Sequence, residues 1–286
     1  MRNKPSLILT KLGVKEKVCI ANILVSSHYK KDRMEITEFN GELFKNFIEI
    51  VHRTMKEIDN HPEYILNKNN HHLPSQEGKY ANKVFSFYSK ITVIKEDLRK
   101  IEVFLRRFPL KKFYEENEIS HLDYIKYHTE VFYHKSNTLL DLFKLMTNEV
   151  YELEYSEKKC TWGNLIKSEI VKESLSIKVI EYYHKSFEHI IEARNLNTHR
   201  GIFKDSEKDD IESPMMIYKN SEKFNMELGD DFRKMMPKFY LEYKLKKYKN
   251  DRLLYIKSGN NVAEQYINFF MNVTIPEFLK RAKVKQ

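Results

Sequence analysis

Apolar positions recur at helical spacing along most of this chain. From Thr37 the stripe Phe39, Leu43, Phe44, Phe47, Ile48, Val51 and Met55 advances by three and four residues, the period of one helix face. It predicts a helix ending before His61-Pro62, because the residue before proline avoids helical backbone angles. Residues 62–75 are polar and predict a loop. Val84, Phe87, Ile91, Ile94, Leu98, Ile101 and Leu105 predict a second helix from about Gln76 to Arg107, stopped by Pro109. A third starts at Ser120, which suits an N-cap, and carries Tyr124, Tyr127, Val131, Phe132, Leu139, Leu142, Leu145 and Met146 to Val150. After a turn at 156–159, Thr161 is placed to cap a helical run to Arg194, with a break near Ser174-Leu175-Ser176. Residues 205–213 are charged and closed by Pro214, which predicts a loop. Two last helices are predicted at about 237–255 and 263–283, the second kinked or split at Pro276.

Residues 1–35 read differently. Ser6–Thr10 and Val18–Val25 are short, β-branched-rich runs around Gly13, suited to a small β hairpin or an N-terminal arm. The expected architecture is therefore all-α: an up-and-down helical bundle over 36–286 with a small N-terminal appendage, residues 1–35, in which short strands are one alternative. Only 7 Gly and 7 Pro punctuate the 286 residues, which favours long helices over sandwiches or barrels. With no Pro- or Gly-rich linker, residues 36–286 read as one helical domain.

Composition narrows the function classes. A 41% hydrophobic content supports a sizeable core and excludes wholesale disorder. The 50 Lys+Arg against 41 Asp+Glu give a net charge of +9, which suits a polyanionic partner as well as a lysine-rich solvated surface. Two distant cysteines, Cys19 and Cys160, fit a reducing compartment better than a disulfide framework. No apolar run approaches the ~18 residues of a membrane span, and Met1–Pro5 followed by Leu7-Ile8-Leu9 makes no convincing signal peptide. The expectation is a cytoplasmic protein with no membrane partner. His71-His72 has no carboxylate or cysteine cluster at ligand spacing and reads as a solvated loop. No metal and no other cofactor is expected.

The chemistry-bearing candidate is Glu192-Ala193-Arg194-Asn195-Leu196-Asn197-Thr198-His199-Arg200, at the close of an amphipathic run. Arg194 carries a permanent charge on a fork that fits a phosphate. His199 can take or give a proton near neutral pH. Together they suit cleavage of RNA, which brings its own nucleophile, the 2′-hydroxyl. An imidazole serves as base or acid, and a guanidinium stabilises charge on the phosphorane. Asn195 can bond a phosphate oxygen or orient His199. Arg200 and Lys204 extend the basic surface. A basic band further upstream, Arg99-Lys100, Arg106-Arg107 and Lys111-Lys112, makes Arg106 and Arg107 RNA-binding candidates. A second, Lys244, Lys246, Lys247, Lys249 and Arg252 among Tyr240, Tyr243 and Tyr248, suits a base-stacking groove or a solvated helix face.

Arg-Asn-x-x-x-His near a helix end in an all-α chain resembles the HEPN superfamily, whose signature is Arg-x(4–6)-His, often with a polar residue after the arginine. The resemblance maps onto Arg194, Asn195 and His199. It implies a metal-independent endoribonuclease with these three residues as the catalytic set. It further implies a homodimer whose two motifs face one cleft, and a toxin or phage-defence role with an antitoxin or regulatory partner. Two other readings stay open: a catalytically silent module that binds RNA or a nucleotide, and a helical protein that docks a protein partner.

Overall fold

The structure, a computed structural model, describes residues 38–70, 72–200 and 205–284, with the side chains of His199 and Arg200 left out. The predicted appendage at 1–35 lies outside these residues. Among those described, all regular structure is helical: α1 Gly41–Asp59, α2 Gln76–Arg106, α3 Lys111–Glu116, α4 His121–Tyr151, α5 Trp162–Leu165, α6 Leu175–Arg200, α7 Ser206–Lys223, α8 Asp230–Met235 and α9 Lys238–Val284. No helix among them is long and apolar enough to cross a membrane.

Local chemistry explains the starts. The Asn40 side chain accepts from the backbone N–H groups of Glu42 and Leu43, at 2.9 and 3.3 Å, satisfying donors that the first turn of α1 leaves open. At α4 the Ser120 hydroxyl accepts from the Asp123 N–H at 3.0 Å while the Asp123 carboxylate accepts from the Ser120 N–H at 3.0 Å. This is the reciprocal arrangement of a capping box.

Three expectations need correction. Thr161 caps only the four-residue α5; the long helix begins at Leu175, where the Ser174 hydroxyl accepts from the Ile177 N–H at 3.3 Å. The predicted loop at 205–213 is the start of α7. Asp205 caps it by accepting from the Lys208 N–H at 3.1 Å, and Glu207 and Asp209 sit in the first turn, where acids oppose the helix dipole. Pro214 lies inside this helix, buried. The two predicted closing helices are one, the 47-residue α9, which runs through Pro276. Its predicted break, around Gly259 and Asn260, stays helical because tertiary contacts hold it. The Asn260 amide donates to the Leu98 carbonyl at 2.9 Å. At Gly259 an added Cβ would lie 2.5 Å from Cζ of Phe132, a fully buried ring. Gly259→Val should therefore destabilise the protein by about 3 kcal/mol through overpacking. Urea unfolding checks this, and an unchanged midpoint would refute the close approach.

The described residues divide into two compact units, and α2, α4, α6 and α9 each contribute to both. One unit comprises 98–134 and 189–260, the other 38–97, 135–188 and 261–284. The second is an aromatic core. Phe143 stacks on Phe270 and Tyr183 on Phe187, each pair at 4.4 Å between centroids, and Phe278 meets both Phe47 and Tyr80 at 5.2 Å. Buried hydroxyls find acceptors: Tyr183 donates to the Ser136 carbonyl at 2.8 Å and Tyr80 to that of Val150 at 2.7 Å. Tyr183 and Phe187 are thus core residues, while Tyr182 beside them is exposed. Cys160 is buried, donates to the Lys144 carbonyl, and has its thiol pKa pushed up to about 11 by burial. That places it among inert rather than reactive thiols.

Candidate functional site

The first unit holds the described candidate site residues of the sequence analysis. Arg194 and Asn195 lie in the last two turns of α6, which continues past them to Arg200. His199 and Arg200 end that helix, with side chains outside the described residues; Lys204 lies outside them altogether. On a continuous helix, positions four apart share a face, whereas positions five apart diverge by about 140°. Asn195 and position 199 are four apart. Arg194 stands off that line, yet its Nη1 donates to Asn195 Oδ1 at 3.1 Å, drawing the guanidinium toward the face that carries position 199.

Arg194 is half-buried, its Nε is buried without a hydrogen-bond acceptor, and no carboxylate among the described residues pairs with it. A partly desolvated guanidinium with a spare donor has the chemistry to take an anion, because unmet donors in low dielectric cost more than those in water. Glu192, two residues earlier, is exposed. No group of three His, Cys, Asp or Glu side chains among the described residues is placed to hold a metal ion.

A second feature, unread in the sequence, lies just beyond. Asp205 is 6% exposed and accepts from the Tyr248 hydroxyl at 2.6 Å. It also pairs with Arg252 Nη2 at 3.1 Å; that arginine is only 7% exposed. Burial drives the Tyr248 phenol pKa well upward. Arg252 further reaches Glu207 at 3.6 Å, and its guanidinium lies 4.9 Å from the Tyr248 ring centre. One carboxylate thus caps α7 and ties it to α9. An Asp followed by acids at the next turn is the cap signal the sequence offered; Pro214 concealed it.

The two basic bands fare differently. In the second, Tyr248 and Arg252 are buried in this structural cluster, and Lys247 pairs with Asp251 at 3.3 Å. That part of the band is not a free groove. Arg106 and Arg107, at the end of α2, are exposed. Arg106 pairs with Glu102 at 2.6 Å, and its carbonyl accepts from Lys249 Nζ at 3.0 Å. This contact brings Lys249 of the second band to the first across 143 residues. His121 nearby has its pKa lowered by burial and then by the charges of Lys249 and Lys111.

The family model described as Cthe2314-like HEPN matches residues 79–251. No curated protein and no solved structure matches the chain.

Proposed function

The chain belongs to the Cthe2314-like HEPN family, and from that premise we propose that it is a metal-independent endoribonuclease working through Arg194, Asn195 and His199. HEPN membership places it in a class of ribonuclease-like and nucleotide-binding helical domains. The observation that carries the finer reading is Arg194: a half-buried guanidinium with no acidic partner among the described residues, held by Asn195 toward the helix face of position 199.

In the proposed reaction a neutral imidazole of His199 takes the proton of the RNA 2′-hydroxyl. The 2′-oxygen attacks the adjacent phosphorus, forming one P–O bond, and the bond from phosphorus to the 5′-oxygen breaks. An imidazolium then protonates the leaving oxygen. Arg194 binds the non-bridging oxygens as charge builds on them. Asn195 keeps the guanidinium in place. The products are a 2′,3′-cyclic phosphate and a 5′-hydroxyl. One chain supplies one such histidine, so base and acid together call for two copies, a homodimer with a composite cleft. A toxin or phage-defence role with an antitoxin or other regulator fits such an enzyme.

The test is cleavage of RNA in EDTA with end-group analysis. Cyclic phosphate ends support the proposal; 3′-hydroxyl ends overturn it. RNA binding without turnover on any substrate identifies the silent module instead. Arg194→Lys keeps the charge but loses the fork and is expected to lower the single-turnover cleavage rate about 100-fold.

A further inference from the structure

We infer that the surface formed by the end of α2, by α3 and by the start of α4 docks single-stranded RNA by stacking its bases on exposed aromatic rings. The inference rests on the RNA-directed reading above, but on different residues. Rings here form a connected series. Phe108 stacks on His121 at 4.6 Å and on Tyr114 at 5.1 Å, and Tyr124 meets His128 at 4.4 Å. His128 in turn contacts Phe104 at 5.5 Å and Tyr127 at 5.4 Å, and Phe113 abuts Tyr114 at 5.9 Å. The outermost members are left open to solvent: Phe104 is 49% exposed, Phe113 57% and Tyr127 63%. Large aromatic rings held in place by neighbouring rings and presented to water are costly unless something covers them.

Charge names the occupant. Arg107 is exposed and has no acidic partner among the described residues. Lys249 is drawn to the end of α2 by the Arg106 carbonyl. Lys111 and Lys112 meet only Glu115 and Glu116, at 3.6 and 3.9 Å on the open surface, and such pairs are weak enough to yield to a phosphate. Cations set among stacking rings suit a flexible polyanion whose bases are free, and not a duplex, whose bases already stack on one another. His121 and His128, both with lowered pKa from burial, stay neutral near pH 7 and serve as ring supports rather than as further cations.

The experiment uses the full chain carrying His199→Ala, so that RNA survives, with a fluorescent 12-nucleotide oligouridine and a 12-base-pair RNA duplex as probes. Phe113→Ala and Tyr127→Ala, at exposed positions, should each weaken oligouridine binding about 10-fold, with thermal midpoints unchanged. Tyr127→Trp should restore it, and Tyr127→Leu should not. Parent-like affinity in both alanine variants, rescue by leucine, or equal loss for the duplex overturns the inference. So does failure of the parent to bind oligouridine, the result expected if this face docks a protein. If RNA is cleaved but binding ignores Phe113 and Tyr127, this inference falls and the cleavage reading stands. If RNA binds through them but is never cleaved, the reverse holds.

Discussion

His199→Ala is expected to lower RNA cleavage by about three orders of magnitude while leaving the fold intact. General acid–base catalysis by a positioned imidazole contributes typically 10²–10⁴-fold. In a composite site the substitution removes both base and acid, which argues against the lower end of that range. The helix should tolerate the change, because position 199 lies in the backbone of α6 and alanine is the strongest helix former. The measurement is single-turnover cleavage in EDTA beside a thermal melt. A variant that retains full activity removes His199 from the mechanism. One that loses activity only as it loses its melting transition reports on folding instead. Mixing the variant with Arg194→Ala protein adds a separate check: one intact arginine and one intact histidine would then meet in a heterodimer, and partial recovery of cleavage is expected only if the cleft is shared.

Asp205→Ala is expected to destabilise the protein by about 4 kcal/mol. The carboxylate performs three tasks: it accepts the Lys208 N–H, accepts the Tyr248 hydroxyl and neutralises Arg252. Loss of a helix cap costs about 1 kcal/mol. The larger share comes from leaving a buried guanidinium without its counter-charge, for which about 3–5 kcal/mol is typical. Asp205→Asn keeps one acceptor oxygen, enough for the cap, but turns an amide N–H2 toward the Tyr248 hydroxyl and loses the charge that faces Arg252, so it should fall between. Asp209→Ala, in the same helical turn but exposed, should change stability by less than about 0.5 kcal/mol. Urea unfolding of the three variants tests the order. A loss under 1 kcal/mol for Asp205→Ala would show that Glu207, 3.6 Å from Arg252, takes over the charge.

Much of the fold was legible because helix-facing apolar stripes are a local signal. The end of α1 before Pro62, the span of α2 and the Ser120 cap of α4 follow from residues within a turn or two of each boundary. The misreadings share one cause. Pro214 and Gly259 are helix breakers by propensity, and both lie within helices because distant contacts outweigh a cost of about 1–3 kcal/mol: Asp205, bonded to Tyr248 and Arg252, secures the start of α7, and Phe132 and the Leu98 carbonyl hold α9. At the candidate site, Arg194 and Asn195 were singled out from the sequence, through the motif and the resemblance it carries. Their hydrogen bond and the unmet Nε depend on side-chain rotamers, which spacing does not give, and the Asp205–Tyr248–Arg252 cluster joins partners 43 and 47 residues apart, which periodicity does not reach. The aromatic surface was missed for the same reason. Phe104, Phe113 and Tyr127 sit on three different helices, and only the folded chain gathers their neighbours into one series.

The way α2, α4, α6 and α9 are shared between the two units bears on where the protein can be cut. The family match ends at residue 251, inside α9, and begins at 79, inside α2. A chain trimmed to those limits would keep nearly all described residues of the unit that carries Arg194. It would remove α1, and Phe47 with it, together with Phe270 and Phe278, and so strip Phe143 and Tyr80 of rings they pack against. The matched segment marks common ancestry, not a module that can be excised; residues 38–78 and 252–284 complete its hydrophobic interior.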